Sequence, residues 1–384
     1  MSLKSERLEV FGRNEQTQRD EVLREIPIRD LDRLILVESV QITSQAMARL
    51  MRAAIPVNFL GWNGEFLGGF LPAQSAHGLA RLKQYERTQD AKFGLQMAGR
   101  IVTAKIYNQR RVLQRVAASR KIVDGGSQMA ESEKIADGGS QIADAEASPA
   151  KGGPPSTGQQ STIRNPQSLP AAAVAQAGAI RNPEIASTLA WMEALLAPLS
   201  KAASIDEVRG YEGTATARYF QAWAAFLPEA FPFERRSKRP PLNPVNACIS
   251  FGATLLYTEM VAFIHAHGLD PSLGLLHATE DGRWSLGLDL IEPFRPVLVE
   301  ALALDLFSHQ ILNERHFEPK NGGVYLNEDG RKKFIFQYER RMERQFMSES
   351  AGHRTALRQQ LENQAVMYKS ALEQESRFEP FLMN

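Results

Sequence analysis

The sequence predicts an α+β protein: a small β-rich N-terminal domain at residues 1–78, followed by a large all-α domain at residues 79–384. Three observations predict this. Short apolar runs separated by turn signals fill the N-terminal segment. From about Arg81 onward, apolar residues recur at helical spacing instead. A low-complexity stretch at about 118–170 then interrupts a remainder that reads as helical almost to its end.

The N-terminal runs Glu21–Ile28 and Asp32–Glu38 read as strands, as do Val57–Leu60 and Glu65–Leu71 around Asn63-Gly64. Asn-Gly between two apolar runs is a hairpin signal, because both turn positions need positive φ. Between the strand pairs, Ser44 is placed to cap a short helix carrying Ala46, Met47, Leu50 and Met51 on one side. Beyond Arg81, the residues Leu82, Tyr85, Phe93, Met97, Ile101, Ala104 and Leu113 follow helical spacing, and the segment ends on Arg110, Arg111 and Arg115. The stretch from Ala118 to about Pro170 is rich in Gly, Ser, Ala, Gln and Pro. Within it, Lys121–Gln128 is repeated almost unchanged as Lys134–Gln141. Two copies are too few for a solenoid, so a duplicated, mobile linker is expected. After Pro183, Ser204-Ile-Asp-Glu207 reads as a capping box. Asn243-Pro244 opens a long helix closed by Gly268, Asp281-Gly282 makes a tight turn, and helices are expected at Leu290–Leu312, Glu328–Met347 and about Arg354–Glu373.

The chain's 384 residues suffice for two or three domains, and 43% hydrophobic with 23% charged residues is globular composition. One cysteine excludes a disulfide framework and every multi-cysteine metal site. A net charge of +1 argues against a histone-like polycation while permitting local basic patches. No basic-then-apolar leader opens the sequence, so no secretory signal is expected. The apolar stretch Asn246–His265 contains Thr254 and Glu259 and reads as a core helix rather than a membrane span. The expected compartment is the cytoplasm, with no membrane partner.

Three short segments carry candidate chemistry. In GYEGTATARYF, Gly210–Phe220, Glu212 stands among small residues that leave room for a ligand to approach the backbone, although an ion pair with Arg209 or Arg218 would also account for it. His277 ends the loop GLLH, where a structural histidine is the competing reading. Asp289 and Glu292 are three apart, on one face of a helical turn, where ordinary helix-start acids also occur. His265, His267, His309 and His316 read as structural. Together one imidazole and two or three carboxylates make a mixed N/O donor set that suits Mg²⁺ or Mn²⁺ better than zinc. Nearby, Arg235, Arg236, Lys238 and Arg239 place four cations within five residues. A solvated loop would explain them, but a divalent metal beside clustered cations is also what phosphodiester chemistry requires.

These segments, in this order, resemble the CRISPR-associated adaptation integrase family. The resemblance is carried by EIPIRDLDRLILVESVQITSQAMARLMRAAIPVNFLGWNGEFLGGF in the β domain, AKIYNQRRVLQR at Ala104–Arg115, and GYEGTATARYF. It continues through RRSKRPPLNPVNACISFGATLLY at Arg235–Tyr257, GLDPSLGLLH at Gly268–His277 and LDLIEPFRP at Leu288–Pro296. It implies that the helical part is the catalytic domain of a metal-dependent DNA endonuclease and integrase. Such an enzyme joins a spacer 3′-hydroxyl to a phosphodiester of the CRISPR repeat. It implies a Mg²⁺ or Mn²⁺ site formed by Glu212, His277 and Glu292, with Asp289 a second acid, and leaves open which acid binds directly. DNA contacts are implied at Arg235, Arg236, Lys238 and Arg239, and at Tyr257, for which a core position is an equal reading. The implied partners are spacer-precursor and repeat DNA, a second copy in a homodimer, and a small ferredoxin-like adaptation subunit. The insertion at about 118–170 departs from the family pattern. The competing function is a non-catalytic, architectural DNA-binding protein whose metal site is structural; the retention of all four candidate residues argues against it.

Overall fold

In the computed structural model the described residues are 1–13, 19–31, 33–37, 40–61, 66–70, 72, 78–133, 183–348, 352–373 and 377–383. The N-terminal part holds two small sheets. Strands β1 (Ser2–Lys4), β2 (Arg7–Arg13) and β3 (Asp20–Pro27) form an antiparallel sheet in that order. In the second sheet, β4 (Leu34–Val37) lies parallel to β5 (Val57–Leu60), which pairs antiparallel with β6 (Phe66–Phe70). Parallel neighbours need a crossover, and helix α1 (Ser44–Arg52) supplies it, burying Ala46 and Leu50 against Leu8, Leu34, Leu36 and Val57. The α1 cap is Thr43 rather than Ser44: the Thr43 Oγ1 accepts from the Ala46 N–H, and Ser44 is the first helical residue. The Asn63-Gly64 turn lies outside the described residues, but its flanking strands pair as expected.

The helical part begins with α2 (Gly78–Thr88) and α3 (Ala91–Glu133). Helix α3 runs on through the first repeat copy, where linker was expected from Ala118. Its segment from Phe93 to Leu113 is nucleated by burial, and each further helical residue then adds a hydrogen bond without a new nucleation cost. The second copy, Lys134–Gln141, and the rest of the expected linker lie outside the described residues. Helix α4 (Pro183–Ala194), a single turn at Leu196–Leu199, α5 (Ile205–Ala224) and α6 (Pro244–Ala266) follow. Ser204 caps α5 by accepting from the Glu207 N–H, while the Glu207 carboxylate reaches one residue past the cap to the Ala203 N–H. Asn243 caps α6 through the Asn246 N–H, and Gly268, at φ +76°, ends it. Helix α6 is long and apolar enough to cross a bilayer, yet most of its residues are packed inside the protein.

The expected helix at Leu290–Leu312 is three pieces: α7 (Ser285–Ile291), a π-helical stretch at Pro296–Glu300, and α8 (Ala301–Ser308). Two hairpins also interrupt the predicted all-helical remainder. Strands β7 (Phe317–Lys320) and β8 (Gly323–Leu326) join through Asn321-Gly322, both at positive φ, and β9 (Gln345–Ser348) pairs with β10 (His353–Ala356). Helices α9 (Glu328–Glu343) and α10 (Leu357–Leu372) flank the second hairpin.

The two parts are bolted together by charge and by aromatic packing. Arg33, just before β4, reaches Glu259 on α6 at 2.8 Å and Glu339 on α9 at 3.3 Å. Phe66 on β6 packs against Trp284, ring centroids 4.8 Å apart.

Candidate active site

Glu212 lies on α5, on the same helical stripe as the buried Val208, Ala215, Tyr219 and Trp223. The neighbouring Gly210 and Gly213 face open space, so the backbone beside the carboxylate is bare. Glu292 follows α7 and is buried, and its Oε1 accepts from Arg295 at 2.8 Å. Between the two carboxylates stands a residue the sequence reading did not single out. Lys105, from the apolar face of α3, sends its ammonium to Glu212 Oε1 and to Glu292 Oε2, the latter at 2.5 Å. Neither Arg209 nor Arg218 pairs with Glu212. Arg209 donates to the Leu276 carbonyl at 2.7 Å and to Asp206, and Arg218 stacks on Trp191.

Charge dominates the titration of this cluster. Burial alone would raise the Glu292 pKa, but Arg295, Lys105 and His277 together hold it well below the usual carboxylate range. Glu212 is likewise lowered: burial opposes ionisation, and the Lys105 ammonium outweighs both that and the repulsion from Glu292. Lys105 is raised, because Glu292 and Glu212 outweigh its own burial.

Although three apart, Asp289 and Glu292 face different partners. Asp289 is fully buried, and its Oδ2 accepts from the Leu275 and Leu276 N–H groups at 2.6 and 3.0 Å. Its Oδ1 accepts from the His277 N–H at 2.9 Å and from His277 Nδ1 at 2.7 Å. A carboxylate only accepts, so Nδ1 carries the hydrogen; in the neutral ring Nε2 is left with its lone pair. Asp289 thus folds the His loop and sets its tautomer. The loop is tight: a Cβ on Gly274 would lie 2.5 Å from the Ser285 Cβ and collide with the His277 carbonyl.

A C-terminal strap braces the same place. Asn108, one turn after Lys105, donates to the Pro293 carbonyl at 2.6 Å and the Phe381 carbonyl at 3.0 Å, and its Oδ1 accepts from the Met383 N–H. The Phe381 ring stacks on Phe294 at 4.6 Å.

Among the described residues, no three His, Cys, Asp or Glu side chains enclose a metal position as they stand. The Lys105 ammonium holds the place between the acids. The donor set nonetheless fits a hard divalent ion: two carboxylates face one cation, and the His277 imidazole is near enough to couple electrostatically to Glu292. Glu292 Oε2 is buried and touches Lys105 without a well-directed hydrogen bond.

The basic segment divides. Arg235, Lys238 and Arg239 are exposed. Arg236 is tied down, donating to the Ser237 carbonyl at 2.8 Å, Asn246 Oδ1 at 2.7 Å and Ser250 Oγ at 3.2 Å. Burial and the nearby Arg295 lower its pKa to about 10. The Lys238 ammonium is lowered by partial burial and by Arg295 and Arg236, which places it at the rim of the acid cluster. Tyr257 is half-buried against Phe66, and its hydroxyl accepts from the Trp284 N–H at 3.3 Å.

A small β domain followed by a helical bundle is the architecture expected of the adaptation-integrase class that the sequence resembles, and here the helical part brings together two carboxylates, a lysine and an oriented imidazole. The family model described as CRISPR associated protein Cas1 matches residues 1–148 and 163–340, and the chain belongs to that family. Only residues 149–162 fall between the matched segments, a narrower departure than the expected 118–170. The CRISPR-associated endonuclease Cas1 1 of Thermodesulfovibrio yellowstonii is 31% identical over 322 residues, covering 83% of each chain. A Cas1 protein from Thermotoga maritima has the same fold, with a TM-score of 0.68 and 22% identity over 98% of this chain and 96% of that one. So does a casposase bound to integration product, with a TM-score of 0.71 and 18% identity over 98% of this chain and 88% of that one.

Proposed function

We propose that this chain is a metal-dependent DNA endonuclease and integrase that joins the 3′-hydroxyl of spacer DNA to a phosphodiester of a CRISPR repeat. The observation that carries the reading is the paired Glu212 and Glu292 carboxylates, held around one cation, with an Asp289-oriented imidazole beside them. Family membership and relatives named as endonucleases support the same reaction class. Glu212, Glu292 and His277 Nε2 would hold Mg²⁺ or Mn²⁺, which when bound neutralises charge developing on the phosphate oxygens. The chain's own residues do the rest. Asp289 keeps the imidazole aimed, Arg295 keeps Glu292 ionised, and the exposed Arg235, Lys238 and Arg239 would hold the phosphate backbone. The working assembly is a homodimer with a small ferredoxin-like adaptation subunit.

The test is joining of a 3′-hydroxyl oligonucleotide to repeat DNA with Mn²⁺, Mg²⁺ or EDTA. Joining should need the metal, and His277→Ala should abolish it while leaving DNA affinity nearly intact, because phosphate contacts elsewhere supply most of the binding. DNA binding without any metal-dependent joining would favour the architectural alternative.

A further inference from the structure

Lys105 is an unusual lysine. It projects from an α3 face whose neighbours Ile101, Val102, Ala104 and Ile106 are all buried, and its own side chain is 4% exposed. No acid stands three or four residues away on α3, so its partners come entirely from other elements. Those partners are the two carboxylates of the proposed metal site, contacted at Glu212 Oε1 and Glu292 Oε2. A divalent ion bridging the same pair would need these lone pairs. Glu292 already has a second cation in Arg295 on its other oxygen, so Lys105 is not required merely to neutralise it. What Lys105 alone does is hold Glu212 against Glu292.

We infer that Lys105 is a built-in cation that keeps the two carboxylates together in the metal-free protein and competes with the divalent ion for them. The inference rests on the metal-dependent reading above. Its chemistry suits exchange: an ammonium on a flexible four-carbon stem makes no fixed fork with carboxylates, unlike a guanidinium, and is free to swing away. Metal binding must displace that ammonium or hold a dication beside it, and either course weakens binding relative to a site without the lysine charge.

The experiment measures Mn²⁺ binding without DNA, by calorimetric titration and by thermal unfolding, in the wild type, Lys105→Met, Lys105→Arg and His277→Ala. Lys105→Met should unfold at a lower temperature without metal, because the buried Glu292 and the half-buried Glu212 lose their shared partner. It should then half-saturate at a Mn²⁺ concentration about tenfold or more below wild type and gain more stability from the ion. Lys105→Arg keeps the charge and should bind no more tightly than wild type. Mn²⁺ binding to wild type that His277→Ala does not weaken, or no binding at all, would overturn the metal reading itself. His277-sensitive binding to wild type with no tightening in Lys105→Met would overturn the inference alone. Should Lys105→Met fail to fold without metal, Lys105→Gln keeps donors to both acids without the charge and must show the same tightening. If both neutral variants need the ion to fold, recovery of cooperative unfolding at Mn²⁺ levels that barely shift wild type supports competition, and no recovery refutes it.

Discussion

Asp289→Asn separates the two roles an acid can have at this site. The wild-type carboxylate takes four hydrogen bonds, two on each oxygen: Leu275 and Leu276 N–H on Oδ2, His277 N–H and Nδ1–H on Oδ1. The asparagine amide has one oxygen, so its NH₂ group faces either the buried Leu275 and Leu276 N–H groups or His277. Each unpaired donor costs about 1–3 kcal/mol, so the first orientation costs about 2–6 kcal/mol and the second, in which the ring can shift its hydrogen, about 1–3 kcal/mol. Either is a sizeable share of the roughly 5–15 kcal/mol that holds a typical domain together. If the NH₂ faces the ring, it donates to Nδ1 and moves the imidazole hydrogen to Nε2, removing the lone pair a metal would take. Urea unfolding should therefore show a lower midpoint at unchanged slope, and joining of 3′-hydroxyl ends should be lost. A variant within about 0.5 kcal/mol of wild type that is nevertheless inactive would make Asp289 a metal ligand rather than an anchor. A stable and active variant would refute both roles.

The remaining predictions concern the surroundings of the site. Burial would raise the Asp270 pKa, but hydrogen bonds from Ser272 and Tyr85 lower it, so its stabilisation is present above the ordinary carboxylate pKa and is lost as pH falls through the folded value. Thermal unfolding should find Asp270→Asn destabilised at neutral pH, with the gap narrowing as pH falls below the ordinary carboxylate range; a constant gap contradicts this. Alanine at Arg235, Lys238 or Arg239 should each reduce the log–log salt slope of DNA binding by about 0.9. Arg236→Ala should instead lower the unfolding midpoint, since it frees Asn246 and Ser250; a pure change in salt slope there would count against its tethering role. Gly213→Ala should stabilise α5 by about 0.5–1 kcal/mol, because nothing lies within 4 Å of the new methyl group. It should also weaken DNA joining if substrate uses the bare backbone beside Glu212, and unchanged joining would argue that it does not.

The β-then-α architecture was legible because period-two and helical patterns separate cleanly near residue 80. The candidate residues Glu212, His277, Asp289 and Glu292 were legible as polar residues in small-residue or turn contexts. The division of labour between Asp289 and Glu292 was not, because spacing puts them on one turn while loop geometry turns them apart. Lys105 was missed for a physical reason: a lysine inside a helix normally reads as solvated surface. The available signal was its position within the buried run Ile101–Ile106 with no acid at helical spacing on α3. The β7–β8 hairpin carries Asn321-Gly322, the same turn signal used at Asn63-Gly64, but its strands are too short to break a helical period. The strap from Phe378 to Met383 had no sequence signal, since backbone carbonyls and N–H groups make most of its contacts.

The most direct test of the metal centre is anomalous diffraction from crystals of the protein soaked in Mn²⁺. One peak should lie between Glu212 and Glu292, bonded to both carboxylates and to His277 Nε2, with the Lys105 ammonium moved off the acids and Asp289 still bound to the His loop. Carboxylate–metal distances should fall near 2.0–2.6 Å, the range for hard divalent ions. A peak bonded to Asp289, or Mn²⁺ bound elsewhere with Lys105 still bridging the two glutamates, would contradict the account.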